Sequence, residues 1–263
     1  ICILVFIPLP AWLWLFPIAL LFFGFYKKEN NTVRDQLIER LKIWALQHRY
    51  KLSFNSELAD YTFTELKHAF PLFSLGNYDN DITDGVTGIF QVNDQAYPFC
   101  LFRYHYVDEL SSIDDDGRTT YHYEHADRWG VFITGLPYKG ITISSQQKRA
   151  CRLQCKWTTS DIQFNKQYQL SGNYEMNLAQ FFTPPRILAL DKMMSAFKGD
   201  LYLHPQHPVM CWLFETNLFN IQPKTKNITN TLELADLLEQ TSLPEFEKLA
   251  TVLIPLLEKF DAK

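Results

Sequence analysis

The feature that most constrains this chain is an uncharged run of 26 residues at its start. Residues 1–26 read ICILVFIPLPAWLWLFPIALLFFGFY, and Lys27 is the first charged residue. Apolar runs of this length are typical of bilayer-spanning helices. Pro8 and Pro10 disfavour one continuous helix, because each lacks a backbone N–H. The run therefore predicts a transmembrane hairpin whose first arm is truncated, within a membrane segment of residues 1–28.

The charges beside this run predict its orientation. Lys27 and Lys28 follow the run directly, and further basic residues come soon after, whereas the turn at residues 8–10 has no charge. Positively charged flanks stay on the cytoplasmic side of a membrane. We therefore expect a protein of the bacterial inner membrane, in contact with the lipid bilayer, whose soluble domain is cytoplasmic.

A helix is predicted directly after the membrane segment. Asn31 or Thr32 is suited to cap a helix that runs to about His48. Its apolar residues recur at three- and four-residue spacing: Val33, Leu37, Leu41, Trp44 and Ala45. We expect a juxtamembrane amphipathic helix over residues 29–49, which lies along the lipid surface or docks on the domain that follows.

The rest of the chain, residues 50–263, predicts one α+β domain. Apolar residues make up 47% of the chain and charged residues 21%, which is enough to build a packed core. Alternation of apolar and polar residues indicates strands at 50–54, 82–92, 97–107, 129–134 and 140–144, with a strand pair at 200–204 and 209–214. Helical spacing follows at 174–182, 185–197, 229–240 and 244–260. We expect an antiparallel sheet with C-terminal helices.

Several motifs together resemble one protein family. They are Phe73-x-x-Gly76, Gly88, Phe102-x-Tyr104-x-Tyr106, DIQF at 161–164, YQLSG at 168–172, Glu175 and FFTP at 181–184. In this order they are similar to a bacterial membrane-protein family, domain of unknown function 3137, over roughly residues 35–222. The resemblance implies N-terminal spans and an α+β domain, and it brings no activity or catalytic residues. In the loop after the aromatic strand, where the family has a stretch with glycine and lysine, this chain is acidic.

Charge is distributed unevenly along the domain. Residues 78–127 have eleven acidic residues against two arginines, whereas residues 137–166 have six basic residues against one aspartate. Such asymmetry steers partners, or it reflects two solvated faces. The acids around the aromatic strand would repel phosphate, so we expect no nucleic-acid partner. The residues predicted to bind a protein partner are the acidic Asp114, Asp115 and Asp116 and the aromatic Phe102, Tyr104 and Tyr106.

Histidines and acids in the same stretch suggest a metal site as an alternative. Imidazole and carboxylate groups suit a divalent ion such as zinc, and the predicted ligands are His105, His122 and His125. On a strand, however, residues three apart point to opposite faces, which separates His122 from His125. The acidic run that ends in Gly117 lacks the ligand pattern of a calcium loop and predicts a hairpin turn.

Motifs for cofactors and nucleophiles are missing from the sequence. There is no phosphate-binding GxxxxGK[ST], no GxGxxG and no GxSxG, so no cofactor is predicted. Our leading hypothesis is a membrane-anchored, non-catalytic interaction protein, with a protein partner or as a subunit of a multisubunit membrane complex. Two alternatives stay open: a metal-dependent hydrolase with Glu124 as the base, and a binder of a lipid or small ligand between the sheet and the C-terminal helices.

Overall fold

The computed structural model describes residues 33–54, 57–58, 61–114, 116, 118–145, 152–222 and 228–261. The chain divides into two units. The first contains Ile1–Arg49 and Pro223–Thr241, and the second contains Tyr50–Gln222 and Ser242–Lys263.

The transmembrane part of the predicted fold requires correction. Within the described residues, no helix is long and apolar enough to cross a membrane. The predicted hairpin falls on residues 1–28, which lie outside the described residues. On the finding for the described residues, the predicted transmembrane fold class and the predicted inner-membrane localisation are wrong.

The first unit contributes two helices to the described part of the chain. Helix α1 covers residues 33–50, all but the last of which belong to this unit, and its buried face consists of Ile38, Lys42 and Leu46, spaced by four residues. Three residues of the predicted apolar stripe, Val33, Leu37 and Trp44, are more than half exposed. Helix α6 (Thr231–Gln240) begins at an asparagine cap.

The second unit contains the strands and the remaining helices. In chain order these are β1 (Ser53–Phe54), β2 (Glu57–Leu58), β3 (Tyr61–Thr62), α2 (Phe63–Ala69), β4 (Asp79–Val92), β5 (Gln95–Ile113), β6 (Thr119–Thr134), β7 (Ile141–Ser144), β8 (Cys155–Trp157), α3 (Ile162–Gln167), β9 (Gln169–Gly172), α4 (Glu175–Phe181), α5 (Pro184–Ala196), β10 (Gly199–Leu203), β11 (Val209–Phe214) and α7 (Pro244–Asp261).

Nine of these strands form one sheet in the order β1-β4-β5-β6-β11-β10-β7-β9-β8, with antiparallel neighbours throughout. Strands β4 and β5 are joined by a two-residue turn at Asn93 and Asp94, where Asn93 has a φ of 51°. Asparagine tolerates this left-handed conformation better than most residues. A bulge interrupts β4 between Thr83 and Val86. The α+β class and the antiparallel sheet therefore agree with the sequence-based expectation.

Aromatic side chains fill the core on both faces of this sheet. On one face, two rings pack against Phe132: Phe70, which follows α2, at 5.6 Å between centroids, and Phe73, the last residue of the 3₁₀ turn Pro71–Phe73, at 5.8 Å. On the other face, Phe246 of α7 packs near Phe99 at 5.8 Å. Alternate residues of β5 and β6 point into these two cores, because successive side chains of a strand lie on opposite faces.

Candidate functional site

The candidate site is the outer part of the hairpin that β5 and β6 form. These strands pair without interruption from Phe99↔Ile133 to Ile113↔Thr119. Their neighbours are shorter: β4 begins at Asp79, opposite Val107, and β11 ends at a residue opposite Trp129. Residues 108–127, called the hairpin arm below, therefore lie beyond the end of β11, and residues 108–124 also lie beyond β4 as a two-stranded ribbon. Six residues of strand project by roughly 20 Å.

The base of the hairpin arm is held by the segment that precedes β4. Asn77 donates its backbone N–H to Asp108 Oδ1 at 3.1 Å and its side-chain amide to Glu109 O at 3.0 Å, and its Oδ1 accepts the Glu109 N–H at 2.6 Å. Tyr78 donates its N–H to Val107 O at 3.1 Å. These bonds continue the pairing beside β5 by a few residues and fix the direction in which the arm leaves the sheet.

Two tyrosines cover one face of the arm near its base. The rings of Tyr78 and Tyr123 lie 4.7 Å apart between centroids. A hydrogen bond to the Glu109 carboxylate raises the pKa of Tyr123, because the carboxylate accepts the phenolic proton. Tyr123 therefore stays protonated and serves as a donor at neutral pH.

The structure brings together two of the three predicted metal ligands. His105 Nδ1 lies 2.8 Å from Asp127 Oδ1, and His105 Nε2 lies 3.3 Å from His125 Nδ1. His122 lies on the opposite face, as expected for a residue three positions from His125 on a strand. In the part of the chain that the structure describes, no group of three or more His, Cys, Asp or Glu residues is placed to hold a metal ion.

The acidic tip of the arm is a turn. Asp114 Oδ1 accepts the backbone N–H groups of Asp116 at 3.1 Å and Arg118 at 2.7 Å, and the Asp114 N–H donates to Arg118 O at 3.0 Å. This is an Asx-type turn, in which the carboxylate replaces missing backbone acceptors. Asp116 is exposed, and Asp115 lies outside the described residues.

The three aromatic residues predicted to bind a partner are in the core. Phe102, Tyr104 and Tyr106 share one face of β5, as the alternation indicates, but that face lies under α2 and the 3₁₀ turn, and each side chain is buried. The Tyr104 hydroxyl lies 2.6 Å from Leu75 O and 2.9 Å from Phe73 O. Their burial leaves them no surface to offer a partner, so their role in this fold is packing.

The exposed apolar residues of the arm were missed by sequence reasoning. Ile113, Tyr121 and Tyr123 lie on one face, and Leu110 lies on the other; their exposed fractions are 74%, 57%, 42% and 47%. The signal that was available is the Tyr121-x-Tyr123 alternation, which is typical of a strand. It was obscured because the intervening residues are histidine and glutamate.

A cleft of about 460 Å³ lies beside the base of the arm. Its charged lining includes Asp108, Lys198 and Asp200, together with Arg128, which forms an ion pair with Glu215. Both signs of charge meet in this cleft, so its electrostatics favour no one class of ligand.

Comparison of the chain with protein-family models, with curated proteins and with solved structures found no match. The resemblance to domain of unknown function 3137 therefore stays a prediction.

Proposed function

We propose that this chain is a non-catalytic interaction protein and that its hairpin arm binds a partner protein. The observation that carries the proposal is the exposure of Leu110, Ile113, Tyr121 and Tyr123 on a ribbon that projects from the sheet. A two-stranded ribbon is marginally stable in water unless it packs against something else. Exposed apolar side chains grouped on such an element are typical of an interaction surface.

Site-specific photo-crosslinking tests the proposal. Benzoylphenylalanine is placed at Tyr121 or Tyr123 in the full chain, expressed in the source cells, and irradiated. The control position is Tyr174, which is 67% exposed and lies just before α4, away from the arm. We expect a discrete cross-linked protein from the two arm positions and none from Tyr174. Equal products from all three positions, or none from the arm, would contradict the proposal.

A matched pair of substitutions then tests the apolar contact. Ile113→Ser removes an exposed side chain on the arm, and Ile162→Ser removes one of similar exposure, 69%, at the start of α3. Aliphatic side chains buried in an interface contribute about 1–3 kcal/mol each. We expect the Ile113 variant to lose most of the cross-linked product while the Ile162 variant keeps it.

A further inference from the structure

The outer edge of β6 is an unpaired strand edge along the whole arm. The Asp114 N–H donates a hydrogen bond to Arg118 O across the hairpin. This bond shows which residues of the two strands form the hydrogen-bonded pairs. In an antiparallel pair, residues alternate between bonding the neighbouring strand and pointing their N–H and C=O groups away from it. The outward-pointing residues of β6 beyond the end of β11 are therefore Thr119, Tyr121, Tyr123, His125 and Asp127. Within the described residues, no strand pairs with this edge.

The opposite edge of the arm, on β5, is much shorter. The Glu109 N–H and C=O are bonded to the Asn77 side chain, and the Val107 C=O accepts the Tyr78 N–H. This leaves Ser111 and Ile113 as the outward-pointing residues at that edge. An added strand would therefore find more than twice as many outward-pointing residues on the β6 edge as on the β5 edge.

The side chains along the β6 edge differ between the two faces of the ribbon. One face presents the apolar Ile113 with Tyr121 and Tyr123. On the other face, Glu124 lies directly opposite Asp108. Like charges in directly opposite positions destabilise a strand pair, and a basic side chain on an added strand beside Glu124 would relieve this repulsion.

The net charge of the arm selects the partner further. Residues 108–127 have seven acidic residues against one arginine, a balance of −6. A second copy of the chain would bring two such arms together, and their like charges would repel. A basic segment of a partner is instead attracted by the negative charge of the arm.

We infer, building on the function proposed above, that the partner contributes an extended basic segment that adds to β6 as a further strand. Its backbone bonds the outward N–H and C=O groups of residues 119–127. Its apolar side chains face the tyrosines, and its alternate basic side chains face Glu124. Main-chain bonds give such strand addition its affinity, and alternate side chains give it its specificity.

Peptide binding tests this inference. The probe is a fluorescein-labelled, end-capped decapeptide of alternating lysine and valine, (Lys-Val)5, and binding is measured by fluorescence anisotropy at about 50 mM salt, where the Debye length exceeds ~10 Å. A (Glu-Val)5 peptide controls for charge. A (Lys-Val)5 peptide that is N-methylated at every second residue keeps the charge and loses the donors of one backbone edge. We expect binding of (Lys-Val)5, and at least about tenfold weaker binding of the other two peptides.

Two proline variants test which edge is used. Tyr121 and Ser111 are directly opposite and both point their N–H groups outward, Tyr121 on the β6 edge and Ser111 on the β5 edge. Proline is tolerated at such positions because no ladder bond is lost. We expect Tyr121→Pro to weaken binding of (Lys-Val)5 about tenfold or more, Ser111→Pro to leave it within about twofold, and Tyr121→Ala, which keeps the N–H, to lie between them.

The outcomes separate this inference from the proposed function. Absence of (Lys-Val)5 binding, equal binding of the N-methylated peptide, or equal losses in Tyr121→Pro and Ser111→Pro would each overturn strand addition. If cross-linking through Tyr121 succeeds while any of these occurs, the arm still binds a partner, by another mode. Circular dichroism checks that the proline variants fold. If a variant does not fold, the comparison of (Lys-Val)5 with its N-methylated form still tests strand addition on the wild-type chain.

Discussion

Replacing Tyr104 by phenylalanine tests whether the aromatic strand serves the core. The ring of Tyr104 packs 5.0 Å from that of Phe73, and its hydroxyl is the donor to the carbonyls of Phe73 and Leu75. Burial is the main reason that the pKa of Tyr104 is raised, so the hydroxyl remains a donor through the physiological range. Phenylalanine keeps the ring and removes only this donor.

The expected loss follows from that geometry. A buried carbonyl left without its donor costs about 1–3 kcal/mol. The Leu75 carbonyl keeps a hydrogen bond from the Asn80 side chain at 3.0 Å, so the loss falls mainly on the Phe73 carbonyl, and we expect a decrease of about 1–2 kcal/mol in the free energy of unfolding. With a urea dependence of about 2 kcal/mol per M, the unfolding midpoint should decrease by about 0.5–1 M with an unchanged slope.

Tyr106→Phe is the matched control. Tyr106 is on the same face and stacks on Tyr104 at 5.7 Å, but its hydroxyl has no hydrogen bond among the described residues. We expect its free energy of unfolding to stay within about 0.5 kcal/mol of that of the wild type. Urea unfolding is followed by tryptophan fluorescence for all three proteins. Equal shifts in the two variants, or none in Tyr104→Phe, would refute the assignment of Tyr104 as an anchor of the segment at Phe73 and Leu75.

Three further predictions follow from the same core. Gly130→Ala would place a Cβ 2.5 Å from the Phe102 ring, so we expect a loss of about 1–3 kcal/mol in urea unfolding; a stability equal to wild type would contradict this packing. Thr62 is half of a capping box on α2, so Thr62→Ala should cost about 1 kcal/mol in thermal unfolding, while Thr64→Ala, at an exposed position inside the helix, should cost less. Burial raises the pKa of the Cys100 thiol from 9.0 to about 12, so the unfolded state loses this proton first and stability should decrease as the pH rises from about 9 towards 12. Cys100→Ala should remove that part of the pH dependence, and iodoacetamide at pH 8 should label Cys100 only after unfolding.

Local patterns in the sequence predicted most of the regular elements. Alternation in residues 97–107 and 129–134 gave the inner parts of β5 and β6, and Asn93 with Asp94 gave the turn that joins β4 to β5. The acidic run ending in Gly117 was correctly interpreted as a hairpin turn. These features depend on backbone preferences of a few neighbouring residues, which a sequence displays directly.

The candidate site could not be predicted from the sequence, because it depends on which elements lie beside each strand. The same alternation describes Tyr104 and Tyr121, yet Tyr104 lies under α2 and Tyr121 lies beyond the ends of β4 and β11. Whether an aromatic residue packs or is exposed is decided by strand lengths and by long-range pairing, and neither is encoded in one segment.

The sequence by itself determined an α+β chain with an antiparallel aromatic sheet and an acidic hairpin, because period-two alternation and turn residues act locally. Only the tertiary structure decided that the hairpin extends beyond its neighbours, that Phe102, Tyr104 and Tyr106 are buried, and that His105 and Asp127 meet. The physical reason is that the contacts of a side chain are set by residues far away in the chain, whose positions follow from the packing of the whole sheet.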